Sequence, residues 1–171
     1  LLPEGIEEIS PQFAWRLEKL RRALLDLYHS WGYELVMPPF IEFLESLLIG
    51  TGRDLESQTF KLVDPISGRQ LGIRADMTPQ VARINARQSS NVPQRLCYLG
   101  TALVAHSDGF GGSRSPLQFG AEIYGHQGYE SDQEIVSLLL ASLRTAQIDD
   151  VHLDLGHVVI FRSLVRQADL N

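Results

Sequence analysis

Two apolar stretches, "QRLCYLGTALVAH" (residues 94–106) and "PLQFGAEIYGH" (residues 116–126), are separated only by the glycine-rich "SDGFGGSRS". Both read as long strands, and the loop between them reads as a flexible hairpin tip. Strands joined so closely pair antiparallel, and the rest of a sheet must be built around them. Gln118 and Glu122 lie four apart on the second strand, so they project from the same face. The first stretch ends Leu103-Val104-Ala105-His106, with no Arg or Lys. The outline is that of an active-site hairpin without its reactive cation.

Helix and strand signals are legible on either side. Ser10-Pro11 reads as an N-cap followed by proline at the first helical position. Phe13, Leu17, Leu20, Leu24, Leu27 and Trp31 then recur at steps of three and four, the stripe of a core-facing helix that Gly32 ends. "YELVM" reads as a short strand stopped by Pro38-Pro39, and "IEFLESLLIG" as a short helix. "TFKLVD" and "RQLGIRA" flank the turn "PISG" and make a second hairpin. Thr78-Pro79 repeats the cap-and-proline start and opens a helix to about Arg87. Ser131 with Glu134 reads as a capping box for a helix carrying Leu138, Leu139, Ala141 and Leu143. "VHLDLGH" reads as a strand and "VVIFRSLVRQADL" as a final helix. Hairpins with helices between them predict an α+β fold: an antiparallel sheet flanked by helices, packed on one face, rather than a βαβ series.

The 171 residues suffice for one domain with a sizeable core. A net charge of −6, from 15 basic and 21 acidic side chains, is a poor footing for non-specific nucleic-acid binding. The one cysteine, Cys97, excludes an internal disulfide and points to a reducing compartment. Its place in "RLCYLG" reads as a buried structural thiol, not a nucleophile. The opening "LLPEGIEE" has no signal-peptide pattern, and no apolar run reaches the ~18 residues of a membrane span. A cytoplasmic protein is expected.

Several chemistries find no support. The five histidines form no HExxH and no Cys/His ligand pair, so no metal site is expected. His152 and His157, five apart on an expected strand, face opposite sides. "GFGG" joins two strands and lacks the Lys and Ser/Thr of a phosphate loop. Gly-x-Ser-x-Gly is absent. What remains is Asp76 and Thr78 at a strand-to-helix junction, with Gln118 and Glu122. Two carboxylates, an amide and a hydroxyl suit an ammonium group and a polar ring. Spacing alone leaves open whether the four share a pocket or are merely exposed.

"LPEGIEEI", "WGYELVMPPFIEF", "TFKLVD…GRQLGIRADMTPQVAR", "CYLGTALVAH" and "LQFGAEIYG" resemble, in order and spacing, the class II core of histidyl-tRNA synthetase. They resemble still more its non-synthetase relatives, the regulatory subunits of ATP phosphoribosyltransferase. The resemblance implies a class II synthetase-like domain over residues 1–171. The family core runs well beyond this length, so a fragment or an unusually short member is expected. The segment around Pro38-Pro39 resembles the synthetase dimerisation motif. Residues 74–78 stand where the synthetases have Arg-Pro-Glu-Gly-Thr, whose acid and threonine hold the histidine amino group. Gln118 and Glu122 match residues that contact bound histidine, and Gly111 and Arg114 match as well. Histidine ligation by Asp76, Thr78, Gln118 and Glu122 is thereby implied.

One departure matters most. Where the synthetases carry Phe-Arg-x-Glu, with an arginine bridging the amino-acid carboxylate and the ATP α-phosphate, this sequence has Val104 and His106. Adenylation without that cation is not expected. The tip is also too poor in basic residues for a tRNA acceptor end. The resemblance therefore implies a non-catalytic, cofactor-free regulatory subunit. It would dimerise within a hetero-oligomer containing the short catalytic subunit, with histidine as effector and no tRNA or membrane partner. A histidyl-tRNA synthetase core fragment and an inert interaction scaffold are the alternatives.

Overall fold

The computed structural model describes residues 1–88, 92–106 and 112–168. Helix α1 (Pro11–Ser30) starts as its sequence predicts. Ser10 is extended and its hydroxyl accepts the Phe13 N–H at 3.4 Å. Gly32, at φ +83°, reverses the chain after it. Then follow β1 (Glu34–Leu35), β2 (Ile41–Phe43), α2 (Leu44–Leu47), α3 (Arg53–Gln58), β3 (Phe60–Val63) and β4 (Gln70–Ile73). The second half holds α4 (Thr78–Gln88), β5 (Gln94–Thr101), β6 (Leu117–Tyr124), α5 (Tyr129–Thr145) and α6 (Val158–Gln167).

The strands form two three-stranded sheets, ordered β1-β5-β6 and β2-β4-β3. The fold is α+β, a sheet flanked by helices, with one parallel pair where β1 lies beside β5. β5 and β6 pair antiparallel over their whole length, setting Cys97 opposite Ala121, Tyr98 opposite Gly120 and Leu96 opposite Glu122. The β3–β4 hairpin closes through Asp64, whose carboxylate accepts the Ile66 and Ser67 N–H groups, with Gly68 at φ +71°. Beyond β5 the chain joins the second sheet: Leu103 N–H donates to Arg74 O, Ala105 N–H to Gln58 O, and Val104 bridges Thr59.

Alternation along β5 and β6 gives the first sheet two apolar faces. On one, Cys97 packs with Tyr28, Tyr33 and Leu138 beneath α1 and α5. On the other, Leu96 and Tyr98 pack with Met77 and Val81 of the α4 region. Helices thus cover both faces, not one, because the buried Val81 gives α4 an apolar contact of its own. Each such buried side chain contributes about 1.5–3 kcal/mol. Cys97 is 2% exposed and burial pushes its thiol up to about 11, so it is a packing residue.

Four local expectations change. "IEFLESLLIG" begins as strand β2, because Ile41–Phe43 pairs with β4 before α2 starts. The Ser131/Glu134 capping box does not form; α5 starts from Gly128, Ser131 bonds the His126 ring at 2.6 Å, and Glu134 is held by Arg95 and Tyr33. "VHLDLGH" pairs with no strand among the described residues and is exposed. The α1 stripe is buried only at Leu24; Phe13, 52% exposed, lies with Leu17 and Leu20 on an open groove beside Thr145–Gln147. The tip glycines Gly109 and Gly111 lie outside the described residues. No described helix is long and apolar enough to cross a membrane.

One little-exposed ion pair fastens α4 to the second sheet. Arg83 contacts both Glu42 oxygens at 2.5 Å and donates to Ser46 O, while Gln80 Nε2 donates to Glu42 and to Pro39 O. Glu42→Ala removes the anion shared by both donors and leaves Arg83 unpaired, and a loss of about 2–3 kcal/mol is expected in urea unfolding. A change below about 0.5 kcal/mol would show that α4 is held by packing alone.

Candidate functional site

The site forms where the start of α4 meets the α4-covered face of β5 and β6. Asp76 precedes the helix, and its Oδ1 accepts the Thr78 N–H at 3.0 Å, capping the first turn. Gln118 reaches across from β6 with both ends of its amide. Its Nε2 donates to Asp76 Oδ1 at 2.6 Å, and its Oε1 accepts the Met77 N–H at 3.0 Å. Thr78 Oγ1 lies 2.8 Å from the Tyr98 hydroxyl, which donates to Glu122 Oε1 at 3.4 Å. Asp76, Thr78, Gln118 and Glu122 therefore sit in one hydrogen-bonded patch.

Tyr98 is the member that sequence reasoning missed. It stands in "RLCYLG", and its membership follows only from the register that faces it with Gly120. A Cβ at Gly120 would overlap the Tyr98 ring, so the glycine gives the phenol its place across β6.

The electrostatics are one-sided. No described Arg or Lys pairs with Asp76 or Glu122. Burial raises the Glu122 carboxyl above its usual range and the Asp76 charge adds to this, while hydrogen bonds from Tyr98 and Thr78 pull the other way. Burial likewise pushes the Tyr98 and Tyr124 phenols up to about 12. The patch offers acceptors to a ligand that carries N–H donors and positive charge.

The two nearby arginines face elsewhere. Arg74, 8% exposed, donates through Nε to Thr101 O at 2.9 Å and through Nη1 to Pro38 O at 2.6 Å. Gly100 leaves room for it, since a Cβ there would lie 2.6 Å from Nη2. Burial lowers its pKa. Arg114 donates to Val104 O at 3.2 Å and to Glu4 O at 3.1 Å, and stacks 4.9 Å over the Phe60 ring. Both are tied to backbone carbonyls, which neutralise no charge. Val104 itself pairs through its backbone with Thr59 and Arg114, and His106 is exposed. A cavity of about 410 Å³ between α1 and the end of α5, and one of about 530 Å³ beside Glu42 and Arg83, are lined by none of the four site residues.

The histidyl-tRNA synthetase family model matches residues 5–171. The ATP phosphoribosyltransferase regulatory subunit of Thioalkalivibrio sulfidiphilus is 62% identical over 171 residues, covering 99% of this chain and 43% of that protein. Its namesake from Methylococcus capsulatus is also 62% identical, over 99% of this chain and 42% of its own length. The chain thus spans less than half the length of these curated relatives. Among solved structures, an ATP phosphoribosyltransferase regulatory subunit/histidyl-tRNA synthetase from Bacillus halodurans superposes with a TM-score of 0.73. That match has 26% identity and covers 85% of this chain and 38% of the other. By the family model that spans nearly all of it, the chain belongs to the histidyl-tRNA synthetase family.

Proposed function

We propose that this chain is the synthetase-like domain of an ATP phosphoribosyltransferase regulatory subunit, one domain of a longer protein. The subunit does not adenylate. It supports a short catalytic subunit that joins ATP to phosphoribosyl pyrophosphate in the first step of histidine biosynthesis, and it relays histidine feedback. The relatives' names favour the assignment. The observation that carries it is the missing cation: Val104 stands where the synthetases carry arginine, while Arg74 and Arg114 are held on carbonyls.

Adenylation places extra negative charge on the α-phosphate, and losing one fixed stabilising contact there lowers the rate by about 10²–10³. The amino-acid side of the site remains. Asp76 and Glu122, unpaired by any described cation, would receive a histidine ammonium group and ring N–H, with Thr78 Oγ1 as a further acceptor and Gln118 fixing Asp76. Cytoplasmic location and the absence of a tRNA partner belong to the same reading. Self-association is its remaining part: Leu35, Met37, Phe40 and Ile41 expose apolar surface in and just beyond the segment that resembles the dimerisation motif, Met37 at 83%.

Three outcomes are expected. The full-length protein shows no histidine-dependent exchange of pyrophosphate into ATP, yet stimulates a catalytic phosphoribosyltransferase subunit added in trans; exchange at a synthetase-like rate would restore the synthetase alternative. Sedimentation gives a dimer or larger species, and Met37→Asp shifts it towards monomer; a wild-type monomer at high concentration rejects the contact. Glu122→Gln weakens histidine binding by about 1.5–3 kcal/mol in calorimetry. It also stabilises the fold at neutral pH. The folded Glu122 pKa is raised, so wild-type stability falls as pH climbs from the unfolded carboxylate range through the folded value. The variant's advantage should accordingly vanish on acidification. An unchanged affinity would remove Glu122 from the ligand site.

A further inference from the structure

We propose that Tyr98 is a positioning residue of this site, its hydroxyl fixing the Glu122 carboxylate and the Thr78 hydroxyl in one arrangement, and that Gly120 exists to admit its ring. The inference rests on the histidine-site reading for its ligand, but not for its geometry. Tyr98 is 4% exposed, and its ring lies over its own cross-strand partner, Gly120, which has no side chain. Its hydroxyl touches groups from two elements, Thr78 on α4 at 2.8 Å and Glu122 on β6 at 3.4 Å.

The hydrogen count makes this contact directional. An ionised carboxylate only accepts, and the two hydroxyls have one hydrogen each. One hydrogen fills the 2.8 Å contact between them, and the other is left for Glu122. A phenylalanine ring keeps the packing but breaks this circuit. Thr78, whose hydroxyl also bonds Glu122, is then free to rotate, and Glu122 exchanges a donor fixed by the sheet for one that is not held in place. The groups facing Glu122 are Asp76 before α4, Thr78 on α4, Tyr98 on β5 and Tyr124 on β6, with no cation among them. The Tyr98 hydroxyl, buried between Thr78 and Glu122, thus holds the hydroxyl donors that act against the burial of this acid.

Tyr98→Phe and Gly120→Ala, made in the full-length protein, test the idea. The Glu122 carboxyl is titrated by ¹³C NMR, its signal assigned by loss in Glu122→Gln, and histidine affinity is followed against pH by calorimetry. In Tyr98→Phe the Glu122 midpoint rises, affinity at neutral pH falls about 3–10-fold, and the acid limb of binding moves up in pH by the same amount as the midpoint. Gly120→Ala, which keeps the hydroxyl but displaces the ring, shifts the midpoint the same way. An unmoved midpoint in Tyr98→Phe overturns the proposal, even if affinity drops uniformly, because packing alone would do that. If wild type binds no histidine while the midpoint still rises in Tyr98→Phe, the effector reading falls and the positioning role of Tyr98 stands.

Discussion

The β5–β6 register governs the molecule. Eight consecutive pairs, from Gln94 with Tyr124 to Thr101 with Leu117, decide which side chains face α1 and α5 and which face α4. In this register Cys97 and Ile123 join the Tyr28–Leu138 core, and Leu96, Tyr98, Gln118 and Glu122 face α4. A one-residue slip of either strand would send its site residues into the first core and its core residues to α4. Burial on both faces makes that slip expensive, so the polar patch is positioned by apolar packing that takes no part in its chemistry. The two glycines on this face, Gly100 and Gly120, leave room for the largest groups, Arg74 and Tyr98.

Arginine placement is the structural ground for the non-adenylating reading proposed above. A guanidinium that stabilises a developing phosphate charge must point at it with donors unused. Arg74 is buried against Thr101 and Pro38 carbonyls, where it joins the end of β5 to the turn before β2. Arg114 ties the N-terminal segment to Val104. Both act as structural clamps, and turning either towards a nucleotide would strand buried or half-buried carbonyls. The pairing of β5 with β6 is made by the backbone and ends at Thr101 and Leu117, so it involves neither the Val104 nor the His106 side chain.

Much of this was legible in the residues. Ser10-Pro11 and the PISG turn form as read, whereas Thr78, read as an N-cap, is already the first residue of α4, whose first turn is capped by Asp76 instead. Asp76, Thr78, Gln118 and Glu122 could be named from motif order, but Tyr98 could not, because its place depends on the long-range pairing with Gly120. The failures are of the same kind. Ser131 and Glu134 have capping-box spacing, yet Glu134 finds a bidentate Arg95 on β5 at 2.6 and 2.8 Å, a stronger partner than a backbone N–H. Ile41–Phe43 has no clear period, and the open edge of β4 claimed it as strand. The Phe13–Leu20 stripe predicts burial that is only partly met: Leu17 and Leu20 are half-covered beside the end of α5, and Phe13 is exposed.

The two acids of the patch are held differently, and that difference bears on how a ligand could act through the fold. Asp76 meets the Gln118 Nε2 and the Thr78 N–H at the positive end of an eleven-residue helix, so its charge is compensated before any ligand arrives. Glu122 has only hydroxyl donors, and burial works against its charge. A cationic ligand would supply Glu122 with what Asp76 already has. The gain on binding would then be concentrated at β6, in contact through Tyr98 and Thr78 with α4, and through Arg83 and Glu42 with the second sheet. On the proposed histidine-site reading, the charge of Glu122 would link ligand binding to the elements that surround it. A ligand regulates only by a free-energy difference between states, and on that reading the difference would arise at Glu122 and pass through Tyr98 and Thr78 to α4.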